Sequence, residues 1–181
     1  MKMKIFIAGP RAISVLNKTV EDRLHGIAEK KHAIIVGDAN GVDKAVQKYF
    51  SNLNYPHVTV YSSNGKVRNN LGNWPVESVS VTGNVRGFDF YAMKDKAMAD
   101  TADYGFMLWN GESKGTLNNI INLLKHDKKS LVYFTPQHDF VCVDSFEKLD
   151  ALVNFCADGT KSLLGKLYKP IPTMPLQMTL H

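Results

Sequence analysis

The sequence has only two cysteines, Cys142 and Cys156, and neither belongs to a C-x-x-C motif or a Cys/His cluster. A zinc site and a disulfide framework are therefore not expected. Long apolar runs are missing too, because the apolar start MKMKIFIA is interrupted by Gly9 and Pro10 before it reaches the length of a signal peptide or a membrane span. These absences predict a cytoplasmic protein with reduced thiols and with no metal, cofactor or membrane partner.

Two common catalytic motifs are absent as well. The loop G-x-x-x-x-G-K-[ST] of P-loop ATPases does not occur, and the nearest lysine, Lys114, precedes its glycine instead of following it. There is no G-x-S-x-G motif, and the six histidines lie far apart in the sequence, so a Ser/His/Asp triad is not favoured.

Charge of one sign is nowhere concentrated. The net charge is +5, but lysine and arginine are interleaved with acidic residues along the chain. Such a balance favours anionic ligands in general and indicates nucleic acid only weakly.

What the sequence does contain is an alternation of short apolar runs with amphipathic stretches, over 181 residues of which 44% are hydrophobic. The alternation predicts one α/β domain, with a Rossmann-like three-layer fold and a mostly parallel sheet of about five to seven strands. Strands are predicted at 3–8, 33–36, 57–61, 104–109 and 130–134, with a short edge strand at 141–143, and helices at 14–31, 42–53, 89–101, 116–125 and 145–155.

Two segments of this single domain, 1–181, depart from the alternation. Residues 62–88 are rich in Gly, Asn and Ser and predict an insertion or a lid. Residues 159–181 predict an irregular C-terminal tail, since the prolines of KPIPTMPLQMTLH are incompatible with a helix.

Three loops follow predicted strands, at the edge where open α/β sheets bind ligands. Their sequences are GPR, GDANGVD and GESKGT. Glycines let the backbone approach a phosphate, and each following helix start supplies N–H donors. For Asp43 two roles stay open, a hydrogen bond to a ribose hydroxyl and capping of its helix. The set predicts a mononucleotide-sized crevice with candidate ligand residues Gly9, Pro10, Arg11, Gly37, Asp38, Gly41, Asp43, Gly111, Ser113, Lys114, Gly115 and Thr116.

The stretch SNGKVRNNLGNW adds further candidates from the loose segment. Arg68 and Asn69 offer a charge and an amide, and Trp74 offers a flat ring that could stack on a nucleobase. The alternative is that Trp74 anchors the segment to the core. The aromatic residues of GFDFYAMKD pose the same choice.

The succession of GPR, IIVGDANGVDKAVQKYF and MKDKAMADTADYGFMLWNGESKGTLNN resembles the SLOG superfamily, which includes the Smf/DprA and LOG proteins, and especially its small stand-alone members related to YspA and YpsA. The resemblance covers residues 3 to about 134. It implies a Rossmann-like fold that binds nucleotides or nucleotide-derived signals, and in some branches single-stranded DNA. It also implies a homodimer with sites near the interface.

One enzymatic branch of the superfamily, the phosphoribohydrolases, has a P-G-G-x-G-T-x-x-E loop and an arginine in an upstream M-x-x-R-K segment. Aligned on its Gly-Thr pair, this sequence has Asn119 in place of the glutamate and Asp95 in place of the arginine, with Lys96 retained. A neutral amide supplies neither the charge nor the basicity that glycoside cleavage requires. Asp95 and Glu112 are the remaining candidate catalytic residues, unless Asp95 only pairs with a nearby cation.

Three functions are compatible with these observations. The first is binding of a nucleotide or nucleotide-derived ligand, for example one like ADP-ribose, by a sensor or carrier whose Gly-rich loops hold the phosphate. The second is an N-glycosidase or phosphoribohydrolase-like enzyme with a rearranged carboxylate. The third, not favoured by the scattered charge, is binding of single-stranded nucleic acid.

Overall fold

The most apolar runs of the sequence form the centre of a seven-stranded sheet, in a computed structural model that describes residues 1–169. The strand order is β4-β3-β2-β1-β5-β6-β7, and all neighbours are parallel except β7, which is antiparallel to β6. The strands are β1 (Lys4–Ala8), β2 (Ala33–Gly37), β3 (Val58–Ser63), β4 (Val76–Val79), β5 (Tyr104–Trp109), β6 (Ser130–Phe134) and β7 (Asp139–Val143).

Helices cover both faces of the sheet, which confirms the predicted Rossmann-like three-layer fold. One core forms where α1 and α2 pack on Ile5, Ile7 and their neighbours, and a second forms where the other four helices pack on the opposite face. No helix within residues 1–169 is long and apolar enough to cross a membrane. The helices are α1 (Lys18–Glu29), α2 (Val42–Asn52), α3 (Gly87–Thr101), α4 (Lys114–Lys125), α5 (Phe146–Val153) and α6 (Asp158–Leu167), with a 3-10 turn at Thr135–Gln137.

The strand order reverses at β1. The chain proceeds from β1 to β2, β3 and β4 on one side and then returns to place β5 on the other side of β1. Ligands of open α/β sheets bind beyond the carboxyl ends of the strands at such a reversal. The loops after β1, β2 and β5 therefore lie around one crevice.

Side-chain caps explain where two helices begin. The predicted start of α1 at residue 14 is too early, because the Asn17 side chain accepts the Val20 N–H at 2.9 Å and fixes the helix start at Lys18. The predicted start of α4 at residue 116 is too late, because Ser113 caps that helix from outside its first turn.

The segment 62–88 is not an insertion detached from the sheet, so that prediction is wrong in part. Its first two residues complete β3, and its middle forms β4, which pairs with β3 at the sheet edge. Trp74 lies in the core with 7% of its surface exposed, and its indole N–H donates to the Tyr55 carbonyl at 2.8 Å. Trp74 therefore anchors this segment to the core and does not offer its ring to a ligand.

The prediction of irregular structure from residue 159 is also wrong at its start. Residues Asp158–Leu167 form α6, whose Leu164 is buried in the core beside α4. The Thr160 hydroxyl donates to the Gly111 carbonyl at 2.6 Å and ties this helix to the loop after β5. Residues 170–181 of the predicted tail lie outside the described residues.

Candidate functional site

A cavity of about 630 Å³ lies at the carboxyl edge of the sheet, where the loops after β1, β2 and β5 meet α3 and α4. Most of the residues proposed from the three loops line it, together with the two candidate catalytic carboxylates. The predicted residues on its wall are Gly9, Pro10, Arg11, Asp43, Arg68, Asp95, Glu112, Ser113, Gly115, Thr116 and Asn119.

The loops after β1 and β2 cross each other in backbone contact. The Val42 N–H donates to the Pro10 carbonyl at 3.2 Å. A Cβ on Gly41, whose φ is +81°, would lie 2.4 Å from Arg11 Cα, and a Cβ on Gly9 would lie 2.7 Å from Val42 Cγ2. Both glycines are therefore required by the crossing itself.

Asp38 is buried behind the cavity and does not line it. Its Oδ1 lies 2.9 Å from Lys94 Nζ and 2.7 Å from an Arg68 Nη2, and its Oδ2 accepts the Arg68 backbone N–H at 3.0 Å. Burial opposes ionisation of this carboxyl, but the hydrogen bonds from Arg68 and the charge of Lys94 outweigh it and lower the pKa of Asp38 to about 2. Asp38 thus holds two other residues of the site in place.

Asp43 lies at the start of α2 and reaches the cavity with 8% of its surface exposed. The helix is capped by Gly41, and the Asp43 Oδ2 instead accepts the Ala39 N–H at 3.1 Å. A Cβ on Gly37 would lie 2.4 Å from that same oxygen, so Gly37 makes room for the carboxylate. Burial raises the pKa of Asp43 to about 6, partly offset by the charge of Lys94.

The wall formed by α3 is a single stripe of side chains. Phe88, Tyr91, Asp95 and Met98 follow one another at spacings of three, four and three residues, which places them on one helix face, and all four line the cavity. The sequence left Phe88, Phe90 and Tyr91 undecided between core and ligand. The structure places Phe88 and Tyr91 at the cavity, outside the buried core, whereas Phe90 does not line it.

Cations surround the two aromatic rings. The guanidinium carbons of Arg11 and Arg68 lie 5.0 Å and 4.8 Å from the centre of the Tyr91 ring. The ammonium of Lys114 lies 3.9 Å from the centre of the Phe88 ring. The outer part of the cavity therefore combines positive charge with flat apolar surface.

Asp95 is half-buried on the cavity wall and makes no hydrogen bond or ion pair within residues 1–169. The two neighbouring lysines are bound elsewhere, Lys94 to Asp38 and Lys96 to Asp100, each at 2.9 Å. Burial raises the pKa of Asp95 to about 7. The positive charge of Lys94 lowers this pKa, and the negative charge of Asp43 raises it further. Its carboxyl group is free to contact a ligand.

The start of α4 offers unused N–H donors to the cavity. Ser113 Oγ accepts both the N–H and the hydroxyl of Thr116, at 3.3 Å and 3.1 Å. Asn110 Oδ1 accepts the Ser113 N–H at 2.9 Å. The N–H groups of Lys114 and Gly115 have no acceptor in the part of the chain that the structure describes. Two donors and the positive end of the helix dipole therefore lie at the edge of the cavity, and Gly115 lines it directly.

Asn119 lies one turn further along α4, on the same face as Thr116. The residue is 4% exposed, and its Oδ1 has no donor among the described residues. A buried polar atom without a partner costs roughly 1 to 3 kcal/mol, and native proteins contain few of them. A ligand that donates a hydrogen bond would satisfy this acceptor.

The loop after β5 is held rigidly from behind. The indole N–H of Trp109 donates to the Ser113 carbonyl at 3.2 Å. The backbone carbonyl of Gly111, whose φ is +79°, accepts the hydrogen bond from the Thr160 hydroxyl. A Cβ on Gly111 would lie 3.2 Å from Cys156 Sγ, so this glycine faces the protein and not the cavity.

Several other predicted ligand residues do not line the cavity, although some of them support its walls. Asn69 donates to the Asp38 carbonyl at 2.8 Å and to Asn40 Oδ1 at 3.1 Å, and Lys96 is an exposed partner of Asp100. The predicted residues outside the cavity wall are Gly37, Asp38, Gly41, Asn69, Trp74, Lys96, Gly111 and Lys114.

The fold and the site together define an α/β protein of Rossmann-like architecture, with one cavity at the reversal of strand order formed by three loops and two helices. No protein-family model matches the sequence, and no curated protein matches it either.

Among solved structures, the chain is similar to DNA processing protein A from Helicobacter pylori, a structure described for its single-stranded DNA binding mode. The TM-score is 0.55 at 16% identity, and the match covers 72% of this chain and 64% of that one. The chain thus spans less than two thirds of the neighbour's length, and an identity this low shows the fold alone. The comparison therefore agrees with the Rossmann-like fold that the resemblance to the Smf/DprA proteins implies.

Proposed function

We propose that the chain binds a nucleotide or nucleotide-derived ligand in this cavity, as a sensor or carrier, with the ligand phosphate at the start of α4. The observation that carries the proposal is the buried Asn119 Oδ1, which lacks a donor among residues 1–169. It lies about one turn along α4 from the N–H groups of Lys114 and Gly115, which have no acceptor in that same range. The cavity of about 630 Å³ falls within the usual range for small-molecule sites.

The phosphate end of the site is the first turn of α4. Two backbone N–H groups without acceptors and the helix dipole favour an anion there. Arg11, which lines the same cavity, adds a guanidinium that can bind phosphate oxygens.

The base end of the site is the aromatic pair on α3. Phe88 and Tyr91 offer two ring faces beside the cavity, and a nucleobase can stack on such faces for about 1 to 3 kcal/mol. Lys114, the first residue of α4, reaches to 3.9 Å from the centre of the Phe88 ring, so the aromatic pair adjoins the helix start. A ligand with its phosphate at that helix start and its base on the rings would lie across the neighbouring ends of α3 and α4.

Single-stranded nucleic acid is a second candidate, and the solved-structure comparison favours it. The neighbour's structure describes single-stranded DNA binding, and the two arginines beside Tyr91 are suited to a nucleotide within a strand. This candidate predicts affinity for oligonucleotides that falls steeply as salt rises, since phosphates beyond the cavity would be neutralised by surface lysines and arginines.

N-glycosidic cleavage is the remaining candidate, and the unpaired carboxyl group of Asp95 favours it. Asp95 opens onto the cavity, whereas Glu112, also on the wall, is exposed at its rim. A free base released from a nucleotide, and lost in Asp95→Asn, would assign catalysis to this residue.

The test is a panel of AMP, ADP, ATP, GMP, CMP, dCMP, NAD and ADP-ribose, with a thermal shift for binding and chromatography of the same samples for free base. Oligonucleotides at two salt concentrations complete the panel. Stabilisation by an intact mononucleotide or dinucleotide supports the proposal. Stabilisation by oligonucleotides alone favours the second candidate, and no shift with any ligand contradicts the proposal.

A further inference from the structure

The inner part of the cavity is rich in hydrogen-bond acceptors. Asp95 carries a carboxyl group without a partner within residues 1–169, and Asn119 carries a buried amide oxygen without a donor. Asp43 reaches the same cavity and uses one oxygen for the Ala39 N–H. Three side chains from three different elements thus present oxygen atoms to one space.

The nearest buried cation does not neutralise this group. Lys94 lines the cavity, but its ammonium lies 2.9 Å from Asp38 Oδ1 in an ion pair that is almost completely buried. When Asp43 and Asp95 are ionised, a ligand portion that occupies the inner cavity is therefore expected to donate hydrogen bonds, because an acceptor placed there would face other acceptors.

The depth of these residues indicates which portion of a nucleotide reaches them. Asp95 follows Tyr91 by four residues on α3, and Asn119 follows Thr116 by three residues on α4. Each is therefore about one helical turn further from the helix start. With the phosphate on the first turn of α4 and the base on the aromatic rings of α3, the portion between them is the sugar. The donors of that portion are its hydroxyl groups.

We propose that this inner cavity is a ribose site, in which Asp95 accepts a hydrogen bond from the ribose 2′-hydroxyl and Asn119 Oδ1 accepts one from the neighbouring hydroxyl. The inference rests on the proposed nucleotide function and adds the ligand class to it: ribonucleotides and ribonucleotide-derived molecules, in preference to 2′-deoxyribonucleotides. The 2′-hydroxyl is the group by which a protein distinguishes the two classes at a given site.

The test compares AMP, CMP and GMP, each with its 2′-deoxy counterpart, by calorimetric titration of the full chain. At pH 8, above the pKa of about 7 of Asp95, the wild type is expected to bind the ribonucleotide roughly tenfold or more tightly, because the lost hydrogen bond has a charged acceptor. Asp95→Ala should weaken ribonucleotide binding relative to 2′-deoxyribonucleotide binding and bring the ratio of the two affinities close to one. Asp95→Asn, which keeps an uncharged acceptor, should give an intermediate ratio.

Asp89→Asn is the matched control, since Asp89 is an exposed carboxylate of the same helix that does not line the cavity. It should leave the ratio as in the wild type, and a thermal melt of each variant confirms that it is folded. Equal affinity of the wild type for the two sugars would overturn the ribose site and leave the nucleotide site standing, as would an unchanged ratio in Asp95→Ala. If none of the six nucleotides binds, and no other ligand of the panel above does, the nucleotide site itself fails, and the ribose site fails with it.

Discussion

Asp38 and Lys94 form an ion pair with an oxygen-to-nitrogen distance of 2.9 Å, and their side chains are only 2% and 3% exposed. The pair joins the loop after β2 to the middle of α3. Arg68 binds the same carboxylate from the segment before β4, so three walls of the cavity are tied to one buried anion. The position of the α3 stripe, and of Asp95 within it, depends on this connection.

Lys94→Met should therefore destabilise the protein strongly. Removing one partner of a buried ion pair typically costs about 3 to 5 kcal/mol, although Arg68 will still compensate part of the Asp38 charge. Urea denaturation measures the loss. The control is Lys96→Met two residues away, which breaks an exposed pair with Asp100 and should cost about 1 kcal/mol or less. Equal losses in the two variants would show that the buried pair has no special role.

Gly41→Ala should destabilise the chain crossing beneath the site. Gly41 has φ +81°, and a Cβ there would lie 2.4 Å from Arg11 Cα, so strain and overpacking add to at least about 2 kcal/mol. Gly26→Ala is the control, because Gly26 lies within α1 and a Cβ there meets nothing within 4 Å. That change should stabilise the protein by roughly 0.5 to 1 kcal/mol. Thermal or urea unfolding compares them, and a neutral Gly41→Ala would contradict the crossing.

Gly115→Asp, in the first turn of α4, should weaken nucleotide binding without destabilising the fold. A Cβ on Gly115 meets nothing within 4 Å, and a carboxylate in the first turn of a helix is favoured by the dipole by about 0.3 to 1 kcal/mol. We expect a fold at least as stable as the wild type and nucleotide affinity reduced at least tenfold, because the new charge repels the phosphate.

Gly159→Asp is the control for this change. Gly159 is the second residue of α6, as Gly115 is of α4, and it too has open space at its Cβ and does not line the cavity. Calorimetric titration with the nucleotide that gives the largest thermal shift should show unchanged affinity. Undiminished affinity in Gly115→Asp would remove the phosphate from this helix start.

Asp95 should make the stability of the fold fall as the pH rises. Its pKa is raised by burial from 3.8 to about 7, so the folded state binds the proton more tightly than the unfolded state between these two values. The contribution of Asp95 to stability is therefore most favourable below about pH 4 and is lost as the pH rises through about 7. Asp95→Asn should raise the melting temperature more at pH 8 than at pH 4. A difference that does not change with pH would contradict the shifted pKa.

The fold was predictable because its signals are local. The apolar runs that became β1, β2, β5 and β6 are separated by amphipathic stretches, and this alternation specifies a parallel sheet with helical crossovers. β4 was missed because VESV has three exposed residues and carries almost no apolar pattern. α6 was missed because its short sequence, DGTKSLLGKL, contains two glycines that weaken the helical signal.

The site was predictable only in outline. The cavity-wall positions of Gly9, Gly115 and Thr116 could be predicted from the three loops, because the carboxyl ends of parallel strands lie at one edge of the sheet. The role of Lys94 could not be predicted, since its partner Asp38 lies 56 residues away in the sequence. The unpartnered oxygen of Asn119 is likewise visible only when the surrounding donors are placed in space.

The aromatic wall could have been predicted in part. Phe88, Tyr91 and Asp95 are spaced three and four residues apart, the signature of one helix face. The sequence does not reveal whether that face meets the core or a cavity, because both kinds of contact favour aromatic residues.

The most direct test of the account is a nucleotide titration followed by backbone amide NMR. The nucleotide with the largest thermal shift is added, and the amide signals of Lys114, Gly115 and, as a control, Gly159 are followed. The account predicts that the Lys114 and Gly115 signals move saturably with the ligand, as expected for N–H groups that acquire a phosphate acceptor, and that the Gly159 signal does not. Saturable changes confined to residues outside the cavity, with these two amides unmoved, would contradict it.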